Sequence, residues 1–247
     1  MNYKIKLTKD NFVESVFKYN GYFCEHFPLC FNTNKLAKSW NLINKRVVSL
    51  AKNNGNFTYP ISISISKSGY LRRNVYIPNI FSFISLLDYL ENNFDFIIGK
   101  CRSRNSESKI SYMVPFDYPS SYRSSIVIRN KRFIGYRYKL KLDISNCFNS
   151  IYTHSTTWAC TGKKEAKLIF SGKIKSNKAY DIGYKIDELN RRMNGNQTNG
   201  ILTGPFTSRI CSELILSYID GLLEEEDFKF TRYVDDYNFY FLSEAEA

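Results

Sequence analysis

The chain has no CxxC pair and no cysteine spacing of the kind a zinc finger needs; Cys24, Cys30, Cys101, Cys147, Cys160 and Cys211 are scattered along it. Isolated cysteines in mostly apolar or strand-forming surroundings are expected to be buried and reduced. No apolar run is long enough to span a bilayer and no signal-peptide pattern is present, so the expected setting is a reducing cytoplasm, with no membrane partner. There is no internal repeat and no low-complexity segment. Histidine is scarce as well. His26 stands without spaced partners, as a structural residue does, and His154 is expected to be packed and structural rather than a ligand.

Acidic residues are sparse over most of the length. From Gln197 onward there are three basic and ten acidic residues, which leaves 32 basic and 13 acidic ones before that point. The net charge of +12 is therefore the sum of a strongly basic stretch and a locally acidic one. Nucleic acid would use both, phosphates meeting Lys and Arg while metal ions meet the carboxylates. A basic protein that only needs solubility is the plainer alternative, and it leaves the asymmetry unused. With 247 residues and 43% hydrophobic content, the chain can bury a sizeable core as one large domain or two small lobes.

The acidic part contains the most informative stretch, residues 230–241, FTRYVDDYNFYF. Aromatic and β-forming residues flank Asp235 and Asp236, which predicts a strand, a tight turn carrying both aspartates, and a returning strand. A solvated Asp-Asp turn on an edge hairpin fits this stretch equally well when it is taken alone. A second β-type run, residues 138–148, YKLKLDISNCF, alternates Lys139 and Lys141 with Leu140 and Leu142 as a half-buried strand would, and places Asp143 at its end. Two such strands could bring three carboxylates to one sheet edge, a site for two Mg²⁺ ions roughly 3.5–4 Å apart. Between them, residues 197–209, QTNGILTGPFTSR, form a glycine-bearing loop that enters a helical pattern, where a base or sugar could approach the backbone.

In order and content, these three blocks resemble motifs A, B and C of reverse transcriptases. Tyr-Val-Asp-Asp at 233–236 is the reverse-transcriptase form of motif C. The Tyr-Thr-His-Ser, Trp-Ala and Gly-Lys portions of residues 145–167, together with Thr-Gly-Pro and Ser208-Arg209, resemble bacterial abortive-infection and defence-associated members. The resemblance covers residues 133–241 well and the first hundred or so loosely. It implies an α+β right-hand polymerase, with residues 1–135 as a basic N-terminal and fingers region and residues 136–247 as a palm of antiparallel strands packed on helices. It implies DNA synthesis from deoxynucleotides with two metal ions, Mg²⁺ or alternatively Mn²⁺, and a role in anti-phage defence.

The resemblance also assigns residues. Asp143 and Asp235 would be the principal metal ligands, Asp236 a secondary one, and the Ile144 carbonyl a further contact. Phe148, five residues after Asp143, would sit beneath the sugar and leave no room for a 2′-hydroxyl. Asn199-Gly200 stands where the family commonly has Gln-Gly, and the shorter Asn reaches less far toward the nucleotide. Arg129, Lys131 and Arg132 in the fingers region are the candidates for phosphate contacts. The chain ends soon after motif C, leaving no room for the motif D lysine, primer grip or thumb. A fragment, or a form completed by a second copy or a partner subunit, is therefore expected. Partners would be DNA or RNA and deoxynucleoside triphosphates. Two rivals stand beside this: a nucleic-acid-binding scaffold with a vestigial site, and a retron- or intron-type enzyme, against which the Tyr-Thr-His-Ser block speaks.

The remaining pattern predicts helices over 8–19, 35–52, 79–96, 163–171 and 181–193 and one running on from Phe206, with Asp181 as a cap. It predicts a loop at 24–34 and a hairpin of strands 59–66 and 71–77.

Overall fold

The computed structural model describes residues 8–53, 56–68, 70–107 and 133–247. Apolar residues at helical spacing decide the first elements. Phe12, Val13, Val16 and Phe17 bury one side of α1 (Phe12–Lys18), which follows a short 3-10 turn at Lys9–Asn11. In α2 (Asn34–Asn53), Ala37 and Trp40 are buried, and the Trp40 ring packs on Phe17 with centroids 5.3 Å apart. Strict alternation then yields β1 (Ile61–Ser68), paired antiparallel with β2 (Leu71–Ile77), so that Ile63 stands opposite the fully buried Val75.

Asn79 caps α3 (Ile80–Asn92): its side-chain oxygen accepts from the Phe81 and Ser82 amides at 3.0 and 3.3 Å. Asn79→Ala leaves those amides without a partner and is expected to cost about 1 kcal/mol. Urea unfolding should show this as a lower midpoint at unchanged slope. The single helix expected to reach residue 96 is instead two, α3 and α4 (Phe94–Lys100), broken at Asn93. Asn92 and Asn93 donate from their side chains to the Asp88 and Tyr89 carbonyls, so two adjacent asparagines compete with the helix for its own acceptors.

The rest of the chain supplies β3 (Tyr138–Asp143), α5 (Cys147–Ser150), α6 (Ser155–Thr161), α7 (Lys163–Phe170), α8 (Lys178–Met193), α9 (Phe206–Glu225), β4 (Phe230–Tyr233) and β5 (Asp236–Phe241). The cap of α8 is Asn177, whose side chain accepts from the Tyr180 amide, and not Asp181, which lies inside the first turn. Strands β3, β5 and β4 form a second antiparallel sheet in that spatial order. As an edge strand, β3 is less buried than its alternation suggested, with Leu142 47% exposed and Leu140 only partly covered.

The chain is thus α+β with small antiparallel sheets. Its core is helical and centres on α9, which buries Ile210, Cys211, Leu214 and Leu216 and packs against α3, α4 and α6. A smaller cluster of Phe230, Tyr237 and Phe239 joins the second sheet to Leu223 of the same helix. Five of the six free cysteines are buried as expected; Cys30 is exposed because it sits in the loop before α2. Among the described residues, no helix is long and apolar enough to cross a membrane.

Candidate functional site

Tyr233 pairs with Asp236, so the β4–β5 loop is only two residues long and consists of Val234 and Asp235. Such loops need a positive φ at their first position. Val234 supplies it at φ +57°, an unfavourable place for a β-branched side chain that costs on the order of 1–3 kcal/mol. The turn therefore carries Asp235 alone, whereas Asp236 already belongs to β5; the expectation of both aspartates in the turn is corrected by the register.

In the neighbouring ladder Asp143 stands opposite Asp236. Just beyond it the Ile144 amide donates to the Asp235 carbonyl at 3.2 Å, tying the end of β3 to the turn. All three aspartates line a single cavity of about 1080 Å³. Burial raises the Asp235 pKa; a backbone hydrogen bond opposes this, Asp143 and Asp236 raise it further, and Arg73 lowers it. Lys141 lies 3.7 Å from Asp236, with both side chains well exposed.

The lining is also basic. Lys67 of β1 and Arg72 and Arg73 of β2 face the cavity, and Arg209 enters it from the first turns of α9. The Arg72 guanidinium is oriented by Ser64, donating from Nε to the hydroxyl at 2.8 Å and from Nη2 to the carbonyl at 2.6 Å. Arg209 pairs with Glu25 at 2.9 Å on the loop before α2. None of these four cations was singled out from the sequence as a site residue. Arg72 and Arg73 open an ordinary-looking strand, and only the packing of the first hairpin sets them on the cavity. Arg129, Lys131 and Arg132 lie outside the described residues.

Phe148 also lines the cavity, on α5, with its ring backed by the main core. Asn199 and Gly200 do not line it. That loop runs beside α5, with Gly200 donating to the Ile151 carbonyl at 2.7 Å and Ile201 to the Phe148 carbonyl at 2.8 Å. The positive φ of Gly200, +90°, serves this approach, since a Cβ there would stand 3.1 Å from the Asn149 carbonyl oxygen. The loop reaches the cavity only at Thr203 and Gly204. There the Tyr76 amide donates to the Thr203 carbonyl at 2.9 Å and fastens β2 to it. His154 is not part of the lining: its Nδ1 is 2.7 Å from the fully buried Asp187, which also accepts from Arg191.

Among the described residues, no three His, Cys, Asp or Glu side chains draw together into a cage that could hold a metal ion. The three aspartates on the cavity come from two strands and a turn, and Cys24, Glu25, His26, Cys147 and Glu213 also line it. Mg²⁺ is ordinarily held by one or two carboxylates with waters and substrate phosphates, and the oxygens of the three aspartates are donors of that kind.

No protein-family model matches the chain, and no curated protein matches it. Among solved structures, apo telomerase from Candida tropicalis is similar with a TM-score of 0.46 at 14% identity, covering 85% of this chain and 45% of that one. The present chain thus spans less than half the length of that protein.

Proposed function

We propose that the protein is a reverse-transcriptase-like DNA polymerase that adds deoxynucleotides with the help of Mg²⁺. The observation that carries this is the meeting of Asp143, Asp235 and Asp236 on one cavity, shared with Lys67, Arg72 and Arg73. Carboxylates and cations on one cavity match a nucleoside triphosphate, whose phosphates need both countercharge and a divalent ion.

Asp143 and Asp235 would hold the metal, with the Ile144 carbonyl and Asp236 in support. When bound, Mg²⁺ supplies charge to the reacting phosphate and lowers the pKa of the attacking hydroxyl. The chain's own residues do the rest. Arg72, pre-oriented on Ser64, binds phosphate oxygens in a fixed plane, and Arg73 and Lys67 add charge beside it. Phe148 closes the space beneath the sugar and excludes a 2′-hydroxyl. Residues 1–135 would act as fingers, bearing the basic hairpin, and residues 136–247 as a palm, bearing the carboxylates. The Tyr-Thr-His-Ser and Thr-Gly-Pro motifs favour a place in bacterial defence against phage, in the abortive-infection group.

The test is incorporation of labelled deoxynucleotides on a primed template, with and without Mg²⁺. Activity should require the metal and should disappear in Asp235→Asn. Undiminished incorporation by that variant would refute the assignment. Nucleic-acid binding without incorporation under Mg²⁺ or Mn²⁺ would instead make the protein a scaffold with a vestigial site.

A further inference from the structure

Arg232 lies two residues before the turn and is completely buried, an unusual place for a guanidinium. All five of its N–H donors are used. Nε donates to Asp220 at 2.9 Å, and Nη2 to Asp220 and Glu213 at 2.7 and 2.9 Å. Nη1 donates to Glu213 at 3.1 Å and, with its other hydrogen, to the Val234 carbonyl at 2.9 Å. Both carboxylates belong to α9, the central helix of the core. They are held in turn: Ser106 donates to Glu213 at 2.8 Å, and Tyr237 donates to Asp220 at 3.1 Å. Burial works against the charge on Arg232, but Glu213 and Asp220 outweigh it and push the pKa up, so the guanidinium stays protonated.

From this cluster, Arg232 reaches the turn through its bond to the carbonyl of Val234, the residue with the strained φ. The two-residue loop sets the positive φ of Val234, while the bond from Arg232 holds its carbonyl; were that carbonyl released, Asp235, next in the chain, would swing with it. We propose that Arg232 is a positioning residue: it ties the strained turn to α9 and so fixes where the Asp235 carboxylate stands relative to Asp143. This role rests on the polymerase reading for its purpose, though not for its geometry. Lysine could not replace it, because a point ammonium has three donors and no planar fork to reach two carboxylates and a carbonyl together.

The Ile144 amide, bonded to the Asp235 carbonyl, reports on the turn independently of any activity. In Arg232→Lys its hydrogen exchange, followed by NMR, should speed up by at least about tenfold while amides of α3 keep their protection. In the same variant kcat for incorporation should fall roughly 10–100-fold with the nucleotide KM little changed, the signature of misplaced rather than missing groups. Adding Val234→Gly should recover part of that loss, since glycine holds a positive φ unaided. Ile144 exchange within twofold of wild type, or equal acceleration throughout α3, would overturn the proposal. Should Arg232→Lys fail to fold, Glu213→Gln, which weakens the same cluster with an isosteric side chain, decides by the same readout: faster Ile144 exchange with α3 unchanged supports the tether, and Ile144 exchange within twofold of wild type overturns it. A wild-type protein that incorporates no nucleotide would sink the polymerase reading and leave the exchange result standing.

Discussion

Asp143→Asn is expected to lower deoxynucleotide incorporation by at least about 10³-fold, the scale on which losing a direct electrostatic contact to a reacting centre is felt. The side chain is exposed at the end of β3 and faces Asp236 across the ladder, so an isosteric amide disturbs no packing. Removing one of three neighbouring like charges also relieves repulsion, and the denaturant midpoint should stay the same or rise slightly. The loss would therefore be one of chemistry in a folded protein. Mn²⁺ binding followed by electron paramagnetic resonance should weaken in parallel, giving a readout that does not depend on turnover. A variant that keeps activity within about threefold of wild type would remove Asp143 from the site.

Phe148→Val is the second large effect, and it concerns selectivity. The ring is backed by the core and presents one side to the cavity. Valine keeps most of the backing contact and opens room where a 2′-hydroxyl would lie. The ratio of kcat/KM for deoxynucleotides over ribonucleotides should fall by roughly 10²-fold, at the upper end of what a few methylene-sized contacts discriminate. Most of the change should come from better ribonucleotide use, with deoxynucleotide kcat/KM within about threefold of wild type. An unchanged ratio would reduce Phe148 to one more packed aromatic.

Much of the local structure was legible because its causes are local. The stripe of Ile182, Ile186, Leu189 and Met193 marks α8, and the Ile-Ser alternation marks β1, since each depends on a period of the backbone itself. Caps and breaks were less legible. Asn177 and Asp181 are both reasonable starts for α8, and the choice rests on which side chain meets a free amide. The break at Asn93 needs two asparagines to turn back on the helix at once.

The site divides the same way. Three aspartates could be picked out as chemistry-bearing by residue type and order; Phe148 and Asn199-Gly200 came from the resemblance, and of these only Phe148 lines the cavity. Arg232 could not: in an alternating strand it looks like a solvent-facing charge. It is buried only because Glu213 and Asp220, about two turns apart on one face of α9, arrive to match it. Arg72 and Arg73 likewise gain a role only when the Tyr76 amide bonds to Thr203 and brings β2 over the cavity.

What the amino-acid order determined by itself is most of the longer helices and strands and the carboxylates near their ends, though not α5, α6 or the break at Asn93, because periodicity and turn preference act over a few residues. What only the tertiary structure decided is the register that sets Asp143 against Asp236, the buried partners of Arg232, and the basic residues brought to the same cavity. These depend on pairings between segments far apart in the chain, where a slip of one residue would turn every side chain to the other face.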